Sequence, residues 1–217
     1  MSPGGMLTRE RPDVAAVGLT GGIGAGKSTA LRSFAESGAL TLSADEVVHQ
    51  LYLRADVKQA LAERFGQGVS SPSGGVDLGA LADAVRGRPE QLAWLESLVH
   101  PLVGEEILRF IGEAPAGAVV VCEVPLLFEA GMDGLFDLVV TVEAASEARR
   151  RRSTHSFGPD LFGEFEALQA SSERRVASSD LAFVNDGDVE HLHAFVRQAY
   201  ERARSLAAPA GEAGEVR

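Results

Sequence analysis

A glycine-rich stretch, VGLTGGIGAGKST at residues 17–29, constrains the fold more than any other part of the chain. It follows an apolar run that predicts a buried strand and leads into a segment with helical spacing. The stretch fits the pattern G-x-x-x-x-G-K-[ST], whose fixed positions are Gly21, Gly26, Lys27 and Ser28. Glycines let successive backbone N–H groups turn toward one anion, and the dipole of the following helix favours negative charge there. The sequence therefore predicts a phosphate-binding loop.

Lysine is scarce in this chain, and one of the two lysines lies in the predicted loop. Lys27 and Lys58 are the only lysines among 20 lysine and arginine residues. A compact ammonium fits within a ring of backbone N–H groups, whereas the planar arginine fork would need a wider loop. We therefore expect Lys27 at the β- and γ-phosphates of ATP and the Ser28 hydroxyl on Mg²⁺. The residues expected to bind the nucleotide are Gly22, Ile23, Gly24, Ala25, Gly26, Lys27, Ser28 and Thr29.

A dinucleotide-binding loop is the nearest alternative. It requires G-x-G-x-x-G, but the sixth position counted from Gly22 is Lys27. An acidic residue that could bind a ribose, Asp45, does follow at the appropriate distance. The glycine register and the lysine therefore decide the question, and both favour the phosphate loop.

The rest of the chain alternates apolar runs with segments of helical spacing. The runs that predict strands are residues 14–19, 39–43, 118–124, 137–143 and 181–185. This alternation favours an α/β fold with a parallel β-sheet flanked by helices. A long helical block at residues 45–112 is predicted as an insertion that forms a substrate-binding lobe.

Helix boundaries in the predicted helical regions depend on proline and glycine. Because a residue before proline avoids the helical region, His100-Pro101 predicts two helices, residues 90–99 and 102–112. Residues 155–163 contain glycine and proline and predict a mobile loop, and residues 164–177 predict one helix.

Composition excludes several classes of partner. The net charge of −11 and a pI near 4.9 argue against nucleic acid and anionic membranes as general partners. No apolar run approaches the roughly 20 residues of a membrane span, and the N-terminus lacks the apolar core of a signal peptide. We therefore expect a cytoplasmic protein with flexible tails at residues 1–13 and 207–217 and no evident obligate protein partner. The single cysteine, Cys122, lies in an apolar run and predicts a buried, inert thiol.

Two acidic residues follow or end predicted strands. Asp45 follows the second strand, at the edge of a parallel sheet where the loop also lies, so it could accept a proton from an attacking hydroxyl. It could equally be the N-cap of the next helix. Glu123 ends the third strand and could hold Mg²⁺ through water or form a structural pair.

Five segments together resemble dephospho-CoA kinases, in order and spacing. They are VGLTGGIGAGKST, ADEVVHQL, LESLVHPLV, VPLLFEAG and DLVVTVEA, and the resemblance extends from about residue 14 to about residue 206. It implies a phosphate-loop kinase with a nucleotide core, a helical acceptor domain and a lid, which uses ATP and Mg²⁺ to phosphorylate the ribose 3′-hydroxyl of dephospho-CoA. The implied ranges are 14–45, 114–148 and 178–206 for the core, 46–113 for the acceptor domain and 149–177 for the lid.

The resemblance also implies roles for single residues. Asp45 is implied to activate the 3′-hydroxyl, and Asn185 to lie near the adenine of ATP. The residues implied to line the acceptor cleft are Asp45, His100, Pro125, Leu126 and Phe128. For His100, a histidine satisfied at a helix end is the alternative.

The predicted lid departs from the family pattern. Arg152 matches a family arginine and Gln169 a family glutamine, but Arg149, Ser156, Phe165 and Arg175 stand where the family usually has other residues. Guanidinium groups can stabilise the charge of phosphoryl transfer, but four consecutive arginines on a helix point in four directions. We therefore expect Arg152, and next Arg149, to face the cleft, and the others to pair with Glu143 or Glu147 or to lie in water.

Two other functions remain possible at the level of sequence. A kinase for another nucleoside or nucleotide would share the core and differ in the acceptor lobe. A regulatory nucleotide-binding module would bind ATP without an acceptor. A guanine-specific switch is disfavoured, because Lys58, the one lysine outside the loop, is not part of an N-K-x-D motif.

Overall fold

A computed structural model of the protein describes residues 11–71, 74–157 and 159–207. Most of the two predicted tails, residues 1–10 and 208–217, lies outside these residues. The chain divides into two compact units, one made of Met1–Ser43 with Ile107–Arg217 and one made of Ala44–Glu106. The larger unit carries the sheet, and the smaller one is helical.

Five parallel strands form the sheet in the described part of the chain. They are β1 (Ala15–Gly21), β2 (Leu40–Ser43), β3 (Val119–Glu123), β4 (Leu138–Glu143) and β5 (Leu181–Val184), in the spatial order β2-β3-β1-β4-β5. Every pairing is parallel, and β1, β3 and β4 are buried along their whole length. Central strands of a parallel sheet are buried on both faces, which explains their continuous apolar runs. The predicted α/β class is confirmed.

Helices occupy most of the remaining described residues. They are α1 (Lys27–Glu36), α2 (Ala44–Leu51), α3 (Ala55–Phe65), α4 (Leu78–Val85), α5 (Pro89–Glu113), α6 (Ser146–Phe157), α7 (Pro159–Leu168), α8 (Ser172–Ser178) and α9 (Val189–Leu206). In the larger unit, α1 and α9 pack on the sheet with Phe34, Val196 and Ala199 fully buried. In the smaller unit, Val57, Leu61 and Leu81 form a separate core against Trp94.

Helix α5 contradicts the predicted break at His100-Pro101. It runs without interruption from Pro89 to Glu113 with Pro101 inside it. A proline in a helix interior removes one hydrogen bond and costs about 3 kcal/mol. Val99, Val103 and Ile107 recur at four-residue spacing and are all buried. This continuous apolar face favours an unbroken helix, because burying each such side chain contributes about 1.5–3 kcal/mol.

The helices between residues 155 and 177 also differ from the prediction. The stretch 155–163 is helical in α6 and α7, apart from residue 158, which lies outside the described residues. Pro159 begins α7, where a missing N–H costs nothing. The single helix predicted for 164–177 is two helices, because Ser171 accepts a hydrogen bond from Arg174 N and starts α8. Residues 169–171 form the link between α7 and α8.

Two residues assigned to the tails have partners or are buried in the structure. Arg11 pairs with Asp13 at 2.8 Å and donates to Gly112 O at 2.6 Å, and Ala207 is fully buried. The folded part therefore extends to these positions. Among the described helices, none combines the length and apolar character that crossing a membrane requires.

Burial of the one cysteine leads to a test of its reactivity. Cys122 lies in β3, fully buried, and burial raises the pKa of its thiol to about 12. Because the thiolate is the reactive form, we expect iodoacetamide to leave native protein unmodified near pH 8 and to modify it fully in denaturant. Intact-mass spectrometry measures both. Full labelling of protein that keeps its native circular dichroism would contradict this placement.

Candidate active site

The loop between β1 and α1 has the backbone of an anion site. Gly21 and Gly26 take positive φ angles of 143° and 109°. A Cβ on Gly21 would lie 1.9 Å from Val142 O, and one on Gly26 would lie 2.5 Å from Asn185 Nδ2, so larger residues do not fit. Gly26 is the N-cap of α1 and supplies no capping side chain, and α1 has no acidic residue in its first turn. The N–H groups of that turn and the helix dipole therefore favour an anion from outside the chain.

Lys27 is the first residue of α1, and its side chain folds back onto this loop. Its side chain is buried, and its ammonium donates to Gly21 O at 3.1 Å and to Gly22 O at 3.2 Å. Ser28 and Thr29, the next two residues of α1, are exposed. The structure thus brings the predicted phosphate-binding residues together in one loop, with the ammonium folded against the loop carbonyls. Their binding of nucleotide stays a prediction.

Gln169 contacts the loop from the link between α7 and α8. Its side-chain oxygen accepts from Ile23 N at 2.9 Å. Its amide nitrogen donates to Gly21 O at 3.2 Å and to Pro125 O at 3.1 Å. Sequence reasoning noted only that this glutamine matches the family, because a contact between residues 146 positions apart leaves no local pattern.

Asn185 and Arg152 contact the carbonyls at the far end of the loop. Asn185 is buried, donates to Ala25 O at 2.8 Å and accepts from Gly187 N at 3.0 Å. Arg152 is half-buried and donates to Gly24 O at 3.4 Å. Both side chains therefore support the loop backbone. The contact of Asn185 with adenine and the role of Arg152 in charge stabilisation stay predictions.

Arg149 does not stand free in a cleft. It is 7% exposed, donates to Ala144 O at 3.1 Å and pairs with Glu166 at 2.5 Å. A guanidinium at this depth needs such partners, because an unpaired buried charge is costly. The expectation that Arg149 faces the cleft stays a prediction.

Glu143 pairs with an arginine outside the predicted run. Arg175 donates to both of its carboxylate oxygens, at 2.6 and 2.8 Å, and both residues are buried. Of the alternatives predicted for the other arginines of residues 149–152, Glu143 is thus occupied by Arg175, and the alternatives of Glu147 and water stay predictions. The signal available in the sequence was Glu143 itself, because a carboxylate at the end of a buried strand requires a partner.

The segment after β3 is divided between core and surface. Leu127 is fully buried, whereas Pro125, Leu126 and Phe128 are half-buried and Glu129 is exposed. The Glu129 carboxylate accepts a hydrogen bond from Ala170 N. The three half-buried residues are those expected to line the acceptor cleft, and that role stays a prediction.

The residues present suit Mg²⁺ held together with a nucleotide. No group of three or more histidine, cysteine or acidic side chains that could hold a metal occurs in the described ranges 11–71, 74–157 and 159–207. Mg²⁺ is usually bound through one or two protein groups plus substrate phosphates and water. The exposed Ser28 hydroxyl at the start of α1 and the Glu123 carboxylate at the end of β3 are groups of that kind.

In the smaller unit, Asp45 is the second residue of α2. The helix begins at Ala44, so Asp45 is not its N-cap, and that alternative is wrong. Its side chain is exposed, and its backbone carbonyl accepts a hydrogen bond from His49 Nδ1 at 2.7 Å. The carboxylate is placed in solvent, two residues after the end of β2.

His100 is half-buried inside α5, so the helix-end position in the alternative prediction is wrong. Burial lowers the pKa of its imidazole, and the Glu96 carboxylate opposes the shift in part. The unfolded chain therefore binds a proton more readily than the folded one. The contribution of His100 to the free energy of unfolding is fully present above the pKa of the unfolded chain, near 6.5. It is lost as the pH falls through the lower pKa of the folded protein.

A substitution at His100 tests the direction of this pH dependence. We expect the free energy of unfolding of His100→Gln to fall less between about pH 7.5 and about pH 5 than that of the unsubstituted protein, since glutamine does not titrate. Urea unfolding across that range measures it. An unchanged pH dependence would contradict the placement of His100.

The residues described above lie within a stretch that matches a known protein family. Residues 15–191, which include the loop, Asp45 and all five strands, match the family model for dephospho-CoA kinase. The chain belongs to the dephospho-CoA kinase family. A curated dephospho-CoA kinase from Streptomyces avermitilis is 37% identical over 203 residues, which cover 92% of this chain and 98% of that protein.

Solved structures agree with a dephospho-CoA kinase fold. A crystal structure from Thermus thermophilus superimposes with a TM-score of 0.75 at 29% identity and covers 87% of this chain and 97% of its own. A dephospho-CoA kinase from Campylobacter jejuni has a TM-score of 0.59 at 18% identity, with 88% and 98% covered, and shares the fold.

Two departures from the dephospho-CoA kinase pattern, Ser156 and Phe165, have side chains outside the described part of the structure. Two others, Arg149 and Arg175, lie beside the loop. A Cβ on Gly22 would come within 3.1 Å of Arg149 Nη1 and 3.2 Å of Arg175 Nη2. These two guanidinium groups therefore pack against the loop at Gly22.

Proposed function

We propose that the chain transfers the γ-phosphoryl group of ATP to the ribose 3′-hydroxyl of dephospho-CoA, which gives coenzyme A and ADP. The observation that carries this proposal is the glycine loop with the Lys27 ammonium inside it and an open helix N-terminus beneath it. Membership of the dephospho-CoA kinase family supports the identity of the acceptor.

ATP binds with its phosphates on the loop. Backbone N–H groups of residues 24–29 surround the phosphates, and Lys27 exchanges its carbonyl partners for the β- and γ-phosphate oxygens. Mg²⁺, held by Ser28 and through water by Glu123, would neutralise phosphate charge. Asn185 and Arg152 stabilise the loop backbone through Ala25 O and Gly24 O.

The helical residues 46–113 are proposed as the acceptor domain, with His100 as a residue that contacts the acceptor. In the larger unit, Pro125, Leu126 and Phe128 are the proposed contacts. Residues 149–177 form a lid that excludes water from the reacting groups. The nucleotide core comprises residues 14–45, 114–148 and 178–206.

Asp45 is the proposed base. Its carboxylate accepts the proton of the 3′-hydroxyl as the hydroxyl oxygen bonds to the γ-phosphorus and the bond to the ADP oxygen breaks. Lys27 and Arg152 offset the negative charge on the oxygens in flight. The proposed enzyme acts on a small molecule in the cytoplasm, without nucleic acid, membrane or an obligate protein partner.

An acceptor panel tests the proposal. ADP release is measured with a coupled assay in the presence of ATP and Mg²⁺, without acceptor and with dephospho-CoA, adenosine or AMP. We expect rapid ADP release when dephospho-CoA is the acceptor, and not with adenosine, with AMP or without an acceptor. Faster release with adenosine or AMP would assign a different kinase, and nucleotide binding without any acceptor-dependent release would indicate a regulatory module.

A further inference from the structure

Gln169 makes three hydrogen bonds with one amide. It lies in the link between α7 and α8, half-buried, and contacts Ile23 and Gly21 of the loop and Pro125 after β3. Only a side-chain amide accepts one bond and donates two at these positions. A glutamate of the same shape keeps the acceptor and loses both donors.

The link that carries Gln169 is itself anchored from two directions. Ala170 N donates to the Glu129 carboxylate, and Arg175 donates to Ala170 O while it pairs with Glu143 at the end of β4. These bonds restrain the residue next to Gln169 on both of its backbone groups. The amide is therefore held in a fixed place before any ligand binds.

The bonds of Gln169 reach the loop at the carbonyl that Lys27 also contacts. Gly21 O accepts from both Gln169 and Lys27, so the same carbonyl orients the amide and the ammonium. Pro125 O belongs to the segment that the proposed function assigns to the acceptor. One side chain thus joins the nucleotide loop to the first residue of the proposed acceptor segment.

We propose that Gln169 is a positioning residue that holds the phosphate loop and residues 125–129 in one arrangement, so that its loss weakens both substrates. This inference rests on the proposed function for its acceptor half. Gln169 touches no reacting atom; it acts through Ile23 N, Gly21 O and Pro125 O. A merely structural residue would lower stability and leave the affinities of the folded protein unchanged.

Two variants test the inference. Gln169→Glu keeps the shape and the acceptor, and Gln169→Met removes all three bonds without adding charge. We expect each to weaken binding of a non-hydrolysable ATP analogue by about tenfold, the size of one to two lost hydrogen bonds, and to raise the KM for dephospho-CoA several-fold. Isothermal titration and steady-state kinetics measure these values, and circular dichroism shows that both variants fold. Gln198→Glu, an exposed change on α9, is the matched control and leaves both values unchanged.

The outcomes separate this inference from the proposed function. Unchanged affinity for the ATP analogue in folded Gln169→Met overturns the inference. Weakened nucleotide binding with an unchanged KM for dephospho-CoA overturns the bridge to residues 125–129. If the unmodified protein does not use dephospho-CoA, the proposed function fails, and the ATP-analogue titration still decides whether Gln169 positions the loop.

Discussion

Lys27→Ala is expected to reduce turnover by about 10²–10³-fold, the usual cost of removing one charge-stabilising donor from a phosphoryl- or acyl-transfer site. The ammonium is buried in the loop, with the carbonyls of Gly21 and Gly22 as its partners. Those carbonyls keep other partners in the variant, because Gly21 O also accepts from Gln169 and Gly22 O from Ala25 N. The variant should therefore fold, and steady-state ADP release together with a thermal melt measures both properties.

The chain offers a matched control for this change. Lys58→Ala removes the other lysine, whose ammonium donates to Gly74 O, and should leave turnover within about twofold. Lys27→Arg keeps the charge but adds a planar fork too broad for the loop, so it should not restore activity. A folded Lys27→Ala protein with near-normal turnover would exclude Lys27 from the transfer step.

Asp45→Asn is expected to lower kcat by about 10²–10⁴-fold, the range that general bases contribute. The substitution keeps the size of the side chain and removes its basicity. The side chain is exposed in the first turn of α2, so the fold should lose little, and the KM for ATP should stay close to normal. Initial rates at saturating ATP and dephospho-CoA provide the measurement.

Glu46→Gln is the control for Asp45→Asn. Glu46 is the neighbouring exposed acid in the same turn of α2, so its substitution has the same effect on net charge and on the helix dipole. It should leave kcat within about twofold. If the two variants lose activity equally, or if Asp45→Asn retains near-normal kcat, the assignment of the base is wrong.

Much of the fold follows from local pattern. The apolar runs of β1, β3 and β4 predict buried parallel strands because both faces of a central strand need apolar side chains. Pattern failed where tertiary packing opposed a local rule. Pro101 predicts a break, but the buried face that includes Val99, Val103 and Ile107 keeps α5 continuous. Ser171 is the opposite case, because it caps the start of α8 and so divides a stretch that was predicted as a single helix.

The candidate site, too, is only partly predictable from local sequence pattern. The loop itself is encoded in residues 21–28, where spacing and residue type suffice to predict an anion site. The side chains that hold the loop lie far along the chain, such as Gln169 at Ile23 and Asn185 at Ala25, separated by 146 and 160 positions. No periodicity links such residues. Buried polar groups signal only that a partner exists, and the fold determines which partner it is.

The position of the transferred phosphate tests the central claim most directly. The protein is incubated with ATP, Mg²⁺ and dephospho-CoA, and the products are followed by ³¹P NMR. The account predicts a new phosphomonoester on the ribose 3′-oxygen, formed in equal amount to ADP. ADP release without a new phosphomonoester, or a phosphate on another hydroxyl, would contradict it.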